Sequence, residues 1–298
     1  MPDTVASAAT TSVPANAAGL PTVTPQASGF GAEIGNIDMT QPVSDAAFEL
    51  IHEAFLAHKV LVFRNQPLDD DAHQAFAQRF GPLEGHINVS TRHARLPQVQ
   101  VFSNVKADGT TTGVHPEKGT LVWHTDKSYV SEPSLTTILR SPAIASKGGD
   151  TLFADTTRAY EDLPEAMKQR LDGLMCVHDW KRSREKSNER PATEDEMRAA
   201  PPVVHPLVRT HPETGAKALY IGNHTSCIVG MSWADSDALI AELEAHATQD
   251  KYVYRHKWQV NDVLMWDNRC TVHCVEPYDA ANEKRAVHRV VVKGDRPY

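Results

Sequence analysis

Apolar positions along this chain recur on two periods, one helical and one of two residues. Behind Ser44, a residue type that caps helices, Phe48, Ile51 and Phe55 follow at helical spacing and predict an amphipathic helix over 45–57. Val60-Leu61-Val62-Phe63 is a short apolar run that reads as a buried strand. Asp69 to Asp71 place negative charge at the start of a second helix, which carries Ala72, Phe76 and Phe80 on one face and stops at Gly81. From 97 to 156 the pattern turns to strands, at 98–102, 134–139 and 151–154, punctuated by Asp108-Gly109 and Gly148-Gly149-Asp150. A short strand is expected near Gly29 to Ile34, and helices near 163–172 and 235–247. Strands follow over 252–258, where Tyr252, Tyr254, His256 and Trp258 alternate with other residues, and over 263–266 and 287–292. The stretch 181–200 is charged and short of large apolar residues, so it reads as an exposed excursion, or as a lid over substrate. Many short strands with few helices predict a mainly β fold with peripheral helices, either a β-sandwich or a jelly-roll barrel.

Composition narrows the class. The chain has 298 residues, 41% of them hydrophobic and 23% charged, as in ordinary soluble globular proteins. Folded sequence is expected over 22–298 as a single domain. Residues 1–21, rich in Ala, Thr, Ser and Pro without a basic start, read as a disordered tail and not as a secretory signal. The formal charge of −8 argues against a dedicated nucleic-acid partner but leaves room for a local basic pocket. No apolar run approaches the roughly 20 residues that span a bilayer, so no membrane partner is expected. Cys176, Cys227, Cys270 and Cys274 form no CxxC pair and read as reduced thiols of a cytoplasmic protein.

Candidate chemistry begins at Trp123-His124-Thr125-Asp126. On a strand, residues two apart share a face, so the imidazole of His124 and the carboxylate of Asp126 can reach one ion. His273, at the end of a strand-like run after Trp266-Asp267-Asn268-Arg269, can supply a second imidazole. Two His and one carboxylate on one side of a metal leave open positions suited to non-haem Fe(II) and O2. Taken alone, the pair is weak. With 15 His and 38 acidic residues such triplets arise by chance, and surface or structural roles are the default. Other histidines lack a comparable pattern; His52, His58, His73 and His246 fall on helices and read as surface or interface residues. Arg285 and Arg289 lie four apart, so on one strand both point the same way. Facing a concave core they would need anions; two surface ion pairs is an equal alternative. Trp266 and Asn268 either shape the surroundings of the site or form an ordinary turn and a core Trp.

Several ordered blocks then join these residues. They are Val60-Leu61-Val62-Phe63-Arg64, Arg79-Phe80-Gly81-Pro82-Leu83, Trp123-His124-Thr125-Asp126, Gly148-Gly149-Asp150-Thr151-Leu152-Phe153, the run from His205 to Pro212, Trp266-Asp267-Asn268-Arg269 and His288-Arg289. Together they resemble the taurine dioxygenase/2,4-dichlorophenoxyacetate dioxygenase (TauD/TfdA) family over about 22–298. The resemblance implies a double-stranded β-helix (jelly-roll, cupin-like) with Fe(II) held by His124, Asp126 and His273. It implies 2-oxoglutarate as co-substrate, its distal carboxylate on Thr151 and Arg285, with O2 as oxidant. Arg289 is placed near the anionic group of a small substrate, and His86, Ser103 and Asn104 are further substrate-side candidates. The expected reaction is hydroxylation next to a heteroatom, releasing succinate and CO2. An aryloxyalkanoate undergoing ether cleavage is the leading substrate, because Arg79 to His86, Pro201 to His211, Tyr252 to Arg269 and Ser103 to Gly109 read closer to the phenoxyacetate side. The end, His288 to Pro297, looks like the taurine side and keeps an alkylsulfonate or sulfate ester as the alternative. A zinc hydrolase on the same triad, or a non-catalytic jelly-roll metal-binding protein, are readings of other classes. The first has no evident use for Arg285, Arg289 and Thr151. A homo-oligomer is compatible with the sequence and not demanded by it.

Overall fold

The computed structural model describes residues 19–85 and 91–298. The tail expected over 1–21 and the candidate His86 therefore lie outside them, except for 19–21; the carbonyls of Gly19 and Leu20 accept from Asn36. The strands are β1 (Thr22–Pro25), β2 (Ala32–Gly35), β3 (Val60–Phe63), β4 (Gln100–Ser103), β5 (Ser134–Ala143), β6 (Thr151–Asp155), β7 (Met175–His178) and β8 (Val203–Pro206). Then come β9 (Val208–Thr210), β10 (Lys217–Leu219), β11 (Thr225–Ile228), β12 (Val253–His256), β13 (Val263–Asp267), β14 (Thr271–Val275) and β15 (Ala286–Lys293). The helices are α1 (Asp45–His58), α2 (Asp70–Gln78), α3 (Thr156–Glu161), α4 (Glu165–Leu171), α5 (Trp180–Lys186), α6 (Glu194–Ala199) and α7 (Trp233–Ala247). Ser44 caps α1 through its side chain, as the sequence pattern predicts, and Asp69, expected only as negative charge at a helix start, caps α2 in the same way. No helix among the described residues is long and apolar enough to cross a membrane.

A seven-stranded sheet, ordered β1-β2-β3-β13-β5-β15-β4, carries the architecture. Its central strands are apolar on both faces, and the period of two splits them cleanly. Leu61, Phe63, Val263, Met265, Ile138, Val290 and Val292 face outward and pack with Ile51, Phe55 and Phe76 from α1 and α2. Val60, Val62, Leu264, Trp266 and Leu139 face inward and meet Phe153 of β6. Phe153 belongs to a three-stranded sheet, β12-β6-β14, which closes the sandwich. The result is the jelly-roll (double-stranded β-helix) fold, built as two facing sheets and not as a closed barrel. A separate apolar cluster under α7 joins Leu171, Cys176, Leu219, Ile228 and Leu239. Each large side chain buried this way contributes on the order of 1.5–3 kcal/mol.

Three features depart from the sequence pattern. Residues 181–200 are not simply exposed: α5 and α6 form there, and Ser183, Arg184 and Ala200 are buried. Two helices this short bury one side each without leaving a readable period. His73, expected as a surface or interface residue, is fully buried, with its Nε2 donating to the Ile138 carbonyl at 3.1 Å. The strand expected over 252–258 is shorter and contains only Val253–His256.

Candidate active site

His124 and His273 meet because the backbone pairs them. His273 sits in the middle of β14. His124 belongs to no strand and forms a single antiparallel bridge with it, the His124 amide donating to the His273 carbonyl (3.0 Å) and the reverse at 2.8 Å. Residues directly opposed in such a pair project to the same face, and the two rings lie 4.1 Å apart between centroids. Asp126 does not continue a strand, as the two-residue spacing led one to expect. It begins a turn whose next residue, Lys127, has φ 57°. The reason is local: the Thr125 hydroxyl donates to the Asn268 carbonyl (2.8 Å), and the Asp126 amide donates to Asn268 Oδ1 (3.2 Å) instead of to a neighbouring strand. One potential ligand atom from each of His124, Asp126 and His273 lies within 4.8 Å of the others, all buried.

Asn268 organises the carboxylate. Its Oδ1 also accepts from the Trp266 indole N–H (2.9 Å), and its Nδ2 donates to Thr137 Oγ1 (2.9 Å), whose hydroxyl donates to Asp126 Oδ2. Arg289 Nη1 donates to Asp126 Oδ1 at 3.0 Å. Burial alone would raise the Asp126 carboxyl, but Arg289, His273, His124 and the Thr137 hydroxyl outweigh it and hold it well below the usual carboxylate range. Burial pushes both imidazoles down, so they are neutral. His124 Nδ1 donates to the Val122 carbonyl (2.8 Å), which leaves Nε2 with its lone pair turned to the trio. Two neutral imidazoles and one ionised carboxylate are the protonation states a divalent metal needs. The residues fit a non-haem Fe(II) centre with open positions.

Two chambers flank the trio and share Phe102, Glu117, Thr120, His124 and Arg289. The first is walled by Leu139, Trp266, Val275 and Val287 and ends at Thr151 and Arg285. Arg285 is 4% exposed, its Nη2 has no hydrogen-bond partner among the described residues, and burial brings its pKa down to about 10. A buried guanidinium without a counter-ion is costly; Arg285 has none among the described residues and lines the chamber instead. Gly149 has φ 74°, and a Cβ there would lie 3.4 Å from the Arg285 side chain, so the glycine suits both the turn and the close approach. The second chamber is walled by Phe102, Tyr129 and Trp180, the last two with ring centroids 4.7 Å apart, and extends to Ser183, Arg184, Glu189 and Asn223. Arg184 Nη1 pairs with Glu189 at 2.7 Å. Glu117, between the chambers, is raised toward neutrality, first by burial and then by its neighbour Glu189.

Arg285 immediately precedes β15 and Arg289 lies within it, with Val287 between them on the same face, while His288 turns outward to Asp70 at 2.8 Å. Arg289 is engaged beyond Asp126: its Nε and Nη2 both donate to Gln100 Oε1, at 2.9 and 2.6 Å. Ser103 and Asn104, expected beside the substrate, line neither chamber. Asn104 is buried and spends its side chain on backbone, donating to the carbonyls of Ala280 and Glu283 and accepting from the Arg285 amide. It thus fixes the segment that leads into Arg285. Gln100, Thr137, Glu117, Arg184 and Tyr129 went unnoticed in the sequence, where each is a single residue whose role depends on a distant partner.

The family model described as "Taurine catabolism dioxygenase TauD, TfdA family" matches residues 22–291. The chain is 38% identical over 275 residues to the alpha-ketoglutarate-dependent 2,4-dichlorophenoxyacetate dioxygenase of Burkholderia sp. (strain RASC), covering 90% of this chain and 92% of that protein. It is 34% identical over 284 residues to the alpha-ketoglutarate-dependent sulfate ester dioxygenase of Pseudomonas putida, covering 92% and 90%. Among solved structures, that of AAD-2 in complex with Mn(II) and N-oxalylglycine superposes with a TM-score of 0.84 at 30% identity, over 93% of this chain and 98% of the other. Matches of this extent in both sequence and fold establish that the chain belongs to the TauD/TfdA dioxygenase family.

Proposed function

We propose that this protein is a 2-oxoglutarate-dependent non-haem iron dioxygenase that hydroxylates a small anionic substrate next to a heteroatom, with an aryloxyalkanoate as the leading substrate class. The observation that carries this reading is the buried Arg285, whose Nη2 has no partner among the described residues, lining with Thr151 a chamber that opens on His124 and His273 of the trio. His124, Asp126 and His273 would hold the metal. Thr151 and Arg285 would hold the distal carboxylate of 2-oxoglutarate, each charge-assisted contact being worth roughly 1.5–3 kcal/mol. Bound together, Fe(II) and 2-oxoglutarate supply the oxidising chemistry: O2 is split between succinate and the hydroxylated product, with loss of CO2.

The chain's own residues position and shield. Asn268 and Thr137 hold the Asp126 carboxylate, so that its orientation is set before any ligand arrives. Apolar walls at Leu139, Val275 and Val287 keep water from the reacting centre. Arg289 reaches both chambers and is the guanidinium placed to receive a substrate anion. Phe102, Tyr129 and Trp180 offer ring faces to an aryl group. Hydroxylation of a carbon that bears an ether oxygen gives a hemiacetal, which breaks into a phenol and a carbonyl acid. The 34% identity to a sulfate ester dioxygenase supports a sulfate ester or alkylsulfonate as the second reading. Four free thiols fit a cytoplasmic setting.

The test has two arms. Anaerobic titration with Fe(II) and 2-oxoglutarate should give a weak visible charge-transfer band that His124→Ala abolishes. A panel of aryloxyacetates, aryloxypropionates, alkylsulfonates and sulfate esters, read as succinate formed, should single out the aryloxy acids. Absence of the band removes the dioxygenase reading; a response to sulfonates or sulfate esters alone moves the substrate to the second one.

A further inference from the structure

Trp258 is absent from the metal trio and from the walls of both chambers, yet its indole N–H donates to Thr151 Oγ1 at 3.0 Å. A Trp N–H can only donate, whereas a threonine hydroxyl has one hydrogen and two acceptor lone pairs. The contact therefore fixes Thr151 Oγ1 as the acceptor and leaves the hydroxyl hydrogen to be given elsewhere. Among the described residues it is given to none: the backbone of Thr151 is taken up in ladders with His256 and Val275 on either side, and among those residues the side chain's one hydrogen bond is the one from Trp258. The hydroxyl lines the same chamber end as the Arg285 guanidinium, which is also a donor only.

We propose that Trp258 is a positioning residue for co-substrate selection: by filling one lone pair of Thr151 Oγ1 it bars the hydroxyl hydrogen from that direction and keeps it for the far end of the chamber, where with the Arg285 guanidinium it favours a group made of acceptors, an ionised carboxylate. This rests on the placement of 2-oxoglutarate given above. Trp258 is itself held. Its ring stands edge-on to His256, with centroids 4.6 Å apart and an interplanar angle of 87°. His256 Nε2 donates to the fully buried Asp262 at 3.1 Å, and the same carboxylate oxygen accepts from the Gln259 amide at 2.8 Å. The indole is thus anchored on both sides along the chain. Without it the hydroxyl hydrogen can rotate into the vacated direction, away from the chamber, and the donor is no longer held for the carboxylate.

The experiment is equilibrium binding, by calorimetry on Mn(II)-loaded protein without turnover, of three 2-oxo acids. These are 2-oxoglutarate, its C5 amide and 2-oxopentanoate, which lacks the distal polar group. Trp258→Phe should weaken 2-oxoglutarate roughly three- to tenfold, weaken the C5 amide less or not at all, and leave 2-oxopentanoate unchanged. In a Thr151→Val background, Trp258→Phe should have no further effect, while Thr151→Ser, which keeps the hydroxyl, should bind 2-oxoglutarate like the parent. Equal weakening of all three acids, an undiminished effect in the Thr151→Val background, or no effect on 2-oxoglutarate would overturn the proposal. If Thr151→Val leaves 2-oxoglutarate affinity intact, the placement of the co-substrate fails and the role of Trp258 with it. If Thr151→Val weakens binding but Trp258→Phe does not, only the role of Trp258 fails.

Discussion

Replacing Arg285 by Met separates a residue kept for binding from one kept for folding. Arg285 is 4% exposed and its Nη2 has no hydrogen-bond partner among the described residues, so the folded protein carries a buried donor that nothing there satisfies. Leaving such a donor unsatisfied costs about 1–3 kcal/mol. Against this stands the approach of the guanidinium to the Tyr278 ring, 5.9 Å from its centroid, which contributes about 0.5–1 kcal/mol. Met keeps much of the apolar stem beside Gly149 and removes the charge. The metal-free variant should therefore be as stable as the parent, or more stable by up to about 2 kcal/mol. Urea unfolding without 2-oxoglutarate measures this. Binding should move the other way. Loss of a charge-assisted contact of about 1.5–3 kcal/mol corresponds to a drop in 2-oxoglutarate affinity of roughly 10- to 150-fold, read by titration under anaerobic conditions. A variant that loses more than about 2 kcal/mol of stability while binding 2-oxoglutarate normally would refute the reasoning. It would mean that the charge has a structural partner and that the co-substrate is held elsewhere.

Asn268→Ala should behave oppositely: it strands the Trp266 and Asp126 N–H groups in the interior, so urea unfolding should show a loss of roughly 2–4 kcal/mol. Metal affinity should fall about 10- to 100-fold, because the Asp126 carboxylate loses its orientation through Thr137; unchanged metal affinity would show that the network does not position the ligand. Glu117 predicts a pH effect. Its carboxyl is raised above the ordinary 4.5 by burial and by Glu189, so it is neutral in acid and ionises as pH rises toward neutrality. The stability it contributes is present below 4.5 and is lost as pH climbs through the raised value. The new negative charge also draws on Arg289, so the affinity for an aryloxyacetate should fall over the same rise, and Glu117→Gln should flatten that dependence. A parallel slope in Glu117→Gln would assign the effect to another group.

How far the site can be read from sequence follows from how local each geometry is. Arg285, Val287 and Arg289 line one chamber while Val290 and Val292 pack outward, because the period of two is a property of the backbone that needs no partner. The helix cap at Ser44 and the acidic start of α2 are legible because they too are local. The pairing of His124 with His273 is not. Nothing near either residue announces the other, and the spacing of His124 and Asp126 suggested a strand where the chain makes one bridge and turns. What replaces the strand is Asn268, which takes over the hydrogen bonds a neighbouring strand would have made. The polarity of 181–200 misled in a more general way. Charge in a sequence is read as exposure, yet Arg184 is 5% exposed because its partner Glu189 follows it into the chamber wall. Polar residues at this centre point inward to be spent on a metal, an anion or each other. Hydropathy carries the sign of their preference for water but says nothing of the partners that replace water. The elements that build the scaffold are therefore readable one at a time, and the site becomes readable only when its contacts are known together.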